Sequence, residues 1–162
     1  AAASDVYKRQ VDASYHSEQE NLNVQVYNRC VGTRYCGNNC PYRVRIFNYF
    51  APHFDAPLEQ QLNPDVTVRS PGVMEKCTFC IQRIRRGRET ANAENRPLED
   101  GEVVPACVQA CPADALVFGD KYDENSRVAQ MVPNERQFKL LEHMGTEPAV
   151  YYLTGGETHV GE

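Results

Sequence analysis

Two stretches decide how this chain is read: Cys36-Gly37-Asn38-Asn39-Cys40-Pro41 and, further on, Cys107-Val108-Gln109-Ala110-Cys111-Pro112. Both have the form Cys-x3-Cys-Pro, and they stand 71 residues apart. A further element precedes each: Cys30-x2-Thr33 before the first and Cys77-x2-Cys80 before the second. Aligned, the halves run Cys30, Thr33, Cys36, Cys40 and Cys77, Cys80, Cys107, Cys111. This is a degenerate internal repeat with threonine in one cysteine position and a 26-residue stretch between Cys80 and Cys107.

The spacing Cys-x2-Cys-x2-Cys-x3-Cys-Pro is that of two-cluster bacterial ferredoxins, in which the fourth cysteine of each run reaches the other cluster. Residues 30–41 fit it everywhere except at Thr33. Closely spaced thiolates wrap one face of an iron–sulfur cage, and a thiolate from a distant segment closes the opposite side. Exchanging the fourth ligands assigns Cys40, Cys77, Cys80 and Cys107 to one cluster and Cys30, Cys36 and Cys111 to the other, which uses all 7 cysteines. The four-thiolate set predicts a 4Fe-4S cluster. At the other, a neutral hydroxyl is a far weaker ligand than a thiolate, so Thr33 predicts an empty corner and a 3Fe-4S cluster. A labile fourth iron held by water or by Thr33, and an external ligand, are the alternatives there. Gly32 and Gly37 can let the backbone aim N–H groups at sulfur, or can be simple turn residues.

Other uses of cysteine fit less well. The four-thiolate set alone would satisfy a structural zinc site, but that strands three cysteines and leaves the repeated Cys-Pro without a reason. Disulfides meet an odd number of cysteines. His16, His53, His143 and His159 are scattered outside the cysteine segments. Charge supports a cluster. Net charge is -5, yet residues 29–88 hold nine Arg and Lys76 against Asp55, Glu59, Asp65 and Glu75, a local excess of +6. Guanidinium groups would offset the negative charge of thiolate-ligated clusters. Overall acidity and the lack of a recognition motif argue against nucleic acid. Arg34 is either a charge partner of the cluster or an ordinary ion-pair residue. Arg83, Arg85, Arg86 and Arg88 are either a docking patch or a solvated helix face.

The remainder reads as loop-rich. Gly and Pro number 10 each in 162 residues and Trp is absent, so something besides apolar burial must hold the chain. No apolar run nears the roughly 20 residues of a membrane helix, and no charged-then-apolar leader is present. The chain opens on Ala-Ala-Ala-Ser without Met and is read as a fragment, its first ten residues set aside as candidates for a non-native leader. Residues 1–25 read as a polar lead-in with strand character near Val24 and Val26. A helix is expected from Pro41 across 41–50, loop insertions at 51–72 and 88–102, and a short helix over 81–86 stopped by Gly87. Ala115–Phe118 reads as a strand. Asn134 and Gln137 suggest a capping box for a helix with Phe138, Leu141 and Met144 in the core, ended by Gly145. A last strand covers 150–153, and 154–162 is a tail.

The stretches Tyr27–Arg45, Glu75-Lys76-Cys77-Thr78-Phe79-Cys80-Ile81-Gln82-Arg83-Ile84 and Val104–Ala115 together resemble the iron–sulfur subunit of molybdopterin-type oxidoreductases. Thr33 and the tail containing Leu140-Leu141 and Tyr151-Tyr152-Leu153 are most similar to the iron–sulfur subunit of alternative complex III, a bacterial quinol-oxidising membrane complex. The resemblance covers about residues 26–153. It implies an α+β, ferredoxin-like two-cluster domain with long loop insertions, the last two of four clusters in a full-length subunit. It also implies docking to a quinol-oxidising integral membrane subunit and to cytochrome or molybdopterin-type subunits, on the outer, periplasmic face of the cytoplasmic membrane. Cluster irons bound by thiolates offer no site to a substrate, and no nucleophile–base motif or phosphate loop accompanies them. The expectation is therefore a carrier of single electrons, not catalytic by itself. The rivals are an enzyme whose cluster opens a labile iron at Thr33 and a zinc-stabilised interaction module.

Overall fold

The structure is a computed structural model that describes residues 12–155. The leader candidates 1–10, His159 and most of the 154–162 tail lie outside the described residues. The chain divides into two units, Ala1–Ile84 and Arg85–Glu162.

In the first unit the expected lead-in turns out to be a hairpin. β1 (Ser14–Ser17) pairs antiparallel with β2 (Leu22–Gln25), Ser14 opposite Gln25 and Ser17 opposite Leu22. Polar composition hid it because the register is held largely by polar groups. Arg45 donates to Ser14 Oγ at 3.0 Å and to Asn23 Oδ1 at 2.8 Å, and the Lys76 amine donates to the Asn23 carbonyl. A one-turn 3-10 helix, Tyr27–Arg29, delivers the chain to Cys30.

Residues 41–50 are not the helix that Pro41 suggests. Arg43 takes a left-handed conformation (φ 53°), which a continuing right-handed helix cannot contain. Ile46 and Phe47 instead form β3 (Ile46–Phe47), antiparallel to β4 (Met74–Glu75), with Ile46 opposite Glu75 and Phe47 opposite Met74. Pairing extends past the strands: the Asn48 amide donates to the Val73 carbonyl at 2.9 Å and the Gly72 amide to the Asn48 carbonyl at 2.8 Å. Between them, 51–72 is irregular as expected, with one 3-10 turn at Leu58–Gln61.

A long helix follows, which we number α2 after the short α1 (Tyr35–Asn38) of the first cysteine loop. α2 (Ile81–Ala93) runs through Gly87 instead of stopping there, so the first part of the expected 88–102 insertion is helical. Packing explains the difference. A Cβ on Gly87 would lie 2.8 Å from a Val103 methyl and 3.3 Å from Leu98, so this glycine permits close approach within the second unit. Arg96 closes the segment beyond, pairing with Glu102 and Glu94 at 2.6 Å each. α3 (Ala106–Gln109) carries Cys107, and α4 (Arg127–Met131) is capped by Ser126, whose Oγ accepts from the Ala129 amide.

Two further expectations fail in this unit. Residues 115–118 form no strand among the described residues. Asn134 caps no helix: its side chain accepts from the Arg136 amide at 2.9 Å, and Gln137–Phe138 forms β5 (Gln137–Phe138) against β6 (Tyr152–Leu153). Phe138 stacks on Tyr152 with ring centroids 5.4 Å apart, and Phe138 and Met144 are exposed, so they are not core. Gly145 does end a turn, the 3-10 segment Glu142–Met144, in left-handed geometry.

Among the described residues the buried apolar side chains are few: Val24, Val73, Met74 and Ile84 in the first unit, Ala91, Val103 and Pro105 in the second. Each larger one contributes about 1.5–3 kcal/mol, while every ordered residue costs about 1–2 kcal/mol of backbone entropy. This is the thin apolar core that the composition foretells.

Candidate metal centre

The two Cys-x3-Cys-Pro segments share four matched hydrogen bonds. In the first, the Asn38 amide donates to the Arg34 carbonyl (3.1 Å), Asn39 to Tyr35 (3.0 Å), Cys40 to Gly37 (3.3 Å) and Arg43 to Cys40 (3.1 Å). In the second, Gln109 donates to Pro105 (3.0 Å), Ala110 to Ala106 (3.0 Å), Cys111 to Val108 (3.1 Å) and Asp114 to Cys111 (3.5 Å). Every donor and acceptor shifts by 71 positions. The left-handed residue after the turn recurs too, Arg43 at φ 53° and Asp114 at φ 48°. One helical turn thus places a cysteine at its start, and a tight turn at Pro41 or Pro112 follows the second cysteine. The halves differ at the N-cap, where Arg34 is left-handed (φ 60°) and Pro105 is extended.

In the first unit the Cys30–Cys40 loop lies against β3 and β4. Gly32, at φ +72°, comes so close to Gly72 that a Cβ would stand 2.2 Å from the Gly72 carbonyl oxygen and 3.3 Å from the Phe47 ring. A Cβ on Gly37 would meet Met74 Cε at 2.8 Å and the Arg45 carbonyl at 3.3 Å. Both glycines are therefore sites of close approach. The Met74 amide donates to Cys30 Sγ at 3.3 Å. Thr33 is exposed on this loop, and Cys30, Cys36 and Cys40 are half-buried.

Cys77 is exposed and Cys80 half-buried. The Phe79 amide donates to Cys77 Sγ at 3.4 Å, and Phe79 and Cys80 are both left-handed at φ 53°. The Cys80 carbonyl accepts from Arg83 at 2.7 Å, so the cysteine pair is fixed to the start of α2. In the second unit Cys107 is exposed and Cys111 half-buried. Backbone N–H groups of Ala115, then Ala113 and Leu116, hold the Cys111 thiol below the ordinary thiol range, against the opposing charge of Asp114. Donors arranged to favour a thiolate suit a metal ligand.

Among the described residues no three His, Cys, Asp or Glu side chains are gathered closely enough to share one metal ion. Thiolates on a polynuclear cluster each bind a different iron and stand further apart. The donor set, sulfur with backbone N–H groups aimed at it, fits iron–sulfur ligation.

The basic excess of the first unit is held largely by rings and neutral oxygens. Arg34 lies over the Phe47 ring at 5.2 Å and donates to the Tyr49 hydroxyl at 2.9 Å. These contacts latch the cysteine loop onto β3. Arg69 lies 4.2 Å over Tyr27 and 3.7 Å from Glu75, and Lys76 donates to the Cys77 carbonyl at 2.9 Å. Burial, then Arg45, holds the Lys76 amine below its usual range. Met74, Phe47, Tyr49 and Gly72 were not singled out by sequence reasoning. The one available signal is the apolar pair Val73-Met74 inside a polar, proline-rich stretch just ahead of Cys77.

The cysteine turn recurs in both units, and backbone donors point at Cys30, Cys77 and Cys111; such a donor set suits a protein that presents thiolates to polynuclear iron–sulfur clusters. No family model matches the chain. It is 43% identical over 150 residues to the iron–sulfur cluster-binding subunit of menaquinone reductase from Nitratidesulfovibrio vulgaris, covering 91% of this chain and 59% of that one. It is 36% identical over 145 residues to the iron–sulfur subunit of a putative dimethyl sulfoxide reductase from Halobacterium salinarum, covering 90% and 48%. It is 38% identical over 133 residues to iron–sulfur subunit 1 of an Hdr-like menaquinol oxidoreductase from Archaeoglobus fulgidus, covering 80% and 45%. The chain belongs to the iron–sulfur subunits of menaquinone-linked and molybdopterin-type oxidoreductases, and it spans about half the length of the curated relatives it matches. No described helix is long and apolar enough to cross a membrane.

Proposed function

We propose that this chain passes single electrons through one 3Fe-4S cluster, held by Cys30, Cys36 and Cys111, and one 4Fe-4S cluster, held by Cys40, Cys77, Cys80 and Cys107. The observation that carries the reading is the recurrence of the Cys-x3-Cys-Pro turn with matched hydrogen bonds in two units. Such clusters supply one-electron chemistry at potentials set by charge, hydrogen bonds to sulfur and exposure. The chain's own part is to hold the thiolates, aim N–H groups at them and keep basic side chains near. Thr33 supports the uneven iron count, because its hydroxyl replaces a thiolate on an exposed turn of the loop.

The complex is proposed from the relatives, two of which are named for menaquinone or menaquinol chemistry. On this reading the chain is a peripheral subunit of a quinol-oxidising or molybdopterin-type complex. It docks to an integral membrane subunit and to cytochrome or molybdopterin-type subunits at the outer, periplasmic face of the cytoplasmic membrane. The ferredoxin-like α+β arrangement belongs to the same proposal. The test is EPR on anaerobically purified, oxidised protein together with iron and sulfide quantification. A three-iron signal alongside a reducible four-iron centre is expected. A colourless protein containing zinc and no sulfide would overturn the reading, and conversion by ferrous iron to a centre whose spectrum responds to substrate would favour an enzyme.

A further inference from the structure

Two cysteine sulfurs of the first unit accept backbone N–H bonds of very different reach. Cys77 is served by Phe79, two positions on, an ordinary local turn. Cys30 is served by Met74, 44 positions on, at 3.3 Å. Strand pairing explains why that amide is free to reach it. In an antiparallel pair alternate residues turn their N–H groups away from the partner strand. Asn48 bonds Val73 and Phe47 stands opposite Met74, so the Met74 amide faces away from β3 and meets Cys30 Sγ. The Met74 side chain is 3% exposed, and its Cε fills the space a Cβ on Gly37 would need, one residue from Cys36. One residue therefore holds both ends of the loop that presents Cys30 and Cys36.

We propose that Met74 is a positioning residue for the cluster of Cys30 and Cys36. Its amide fixes the Cys30 thiolate and raises that centre's reduction potential, and its side chain closes the Gly37 end of the loop. Hydrogen bonds to ligand sulfur favour the more negatively charged reduced state. The proposal rests on Cys30 being a cluster ligand, but not on whether that cluster has three irons or four.

The test uses the full chain grown with 15N-methionine, which labels Met74, Met131 and Met144 only. Pulsed EPR is recorded in the paramagnetic state of the centre, oxidised for three irons and reduced for four. A 15N coupling is expected in the wild type and is lost in Met74→Leu grown with the same label. Met74→Pro, which removes the N–H, is expected to lower the potential of that centre and leave the other unchanged. Should Met74→Pro fail to fold, the coupling decides alone. A cluster signal without 15N coupling overturns the proposal. If iron analysis shows that no cluster forms, the functional reading has failed, and hydrogen exchange then judges the bond. Slow exchange of the Met74 amide that Cys30→Ala abolishes supports it, and exchange unaffected by Cys30→Ala overturns it.

Discussion

Gly32→Ala puts a methyl group where the structure has a carbonyl. Gly32 sits at φ +72°, a conformation that costs a side-chain-bearing residue about 1–2 kcal/mol. The new Cβ would stand 2.2 Å from the Gly72 oxygen, and backbone at that distance has to move. Moving Gly72 gives up its amide bond to Asn48, worth about 0.5–1.5 kcal/mol, and disturbs the Met74 amide two residues on. The expected cost is about 2–4 kcal/mol, a fall of roughly 5–15 °C in apparent Tm for a chain of this length. Gly72→Ala is the control, because Gly72 is also left-handed (φ +88°) but a Cβ there meets nothing within 4 Å. It should lose only the conformational part, about 1–2 kcal/mol. The assay is thermal unfolding of the anaerobically purified protein by circular dichroism, with EPR of the cluster in parallel. Equal losses in the two variants, or a Gly32→Ala Tm matching the wild type, would refute the packing of the cysteine loop on β3 and β4.

On the proposed cluster assignment, Thr33→Cys supplies a further thiolate to the centre of Cys30 and Cys36 and is expected to convert it from three irons to four at lower potential; an unchanged EPR spectrum would count against Thr33 marking an empty corner. Arg34→Ala removes the cation from over Phe47 and the bond to Tyr49, with an expected loss of about 1 kcal/mol in thermal stability, most of it restored in Arg34→Lys if ring contact dominates and little if the Tyr49 bond does. Glu102 is held below the ordinary carboxylate range by its bond from Arg96 and then by the Glu99 amide. Its folded value lies below its unfolded one, so what it stabilises is present above about pH 4.3 and lost as pH falls through the folded value. Protection of the Glu99 amide from hydrogen exchange should follow that course and become independent of pH in Glu102→Gln; protection insensitive to pH in the wild type would contradict the assignment.

The cysteine repeat was legible because ligand spacing is written along the chain. A Cys-x3-Cys-Pro segment makes its own turn, and its bonds are nearly all local. What could not be read depends on partners distant in sequence. Ile46 and Phe47 are strand because Met74 and Glu75 lie beside them, and nothing within 41–50 announces that. Gly87 carries the signature of a helix stop, yet its missing side chain serves contact with Val103 and Leu98. Phe138, Leu141 and Met144 have helical spacing, but Phe138 takes its conformation from Tyr152. Thr33 was legible as a departure from a pattern, whereas Met74 has no pattern to depart from.

The central claim, that the two halves exchange their fourth thiolates, is tested most directly by EPR of Cys111→Ala. The account predicts that the centre of Cys30 and Cys36 is lost while the four-iron centre of Cys77, Cys80 and Cys107 survives, even though Cys111 is only four positions from Cys107 in sequence. Survival of the three-iron signal with loss of the four-iron centre would contradict it.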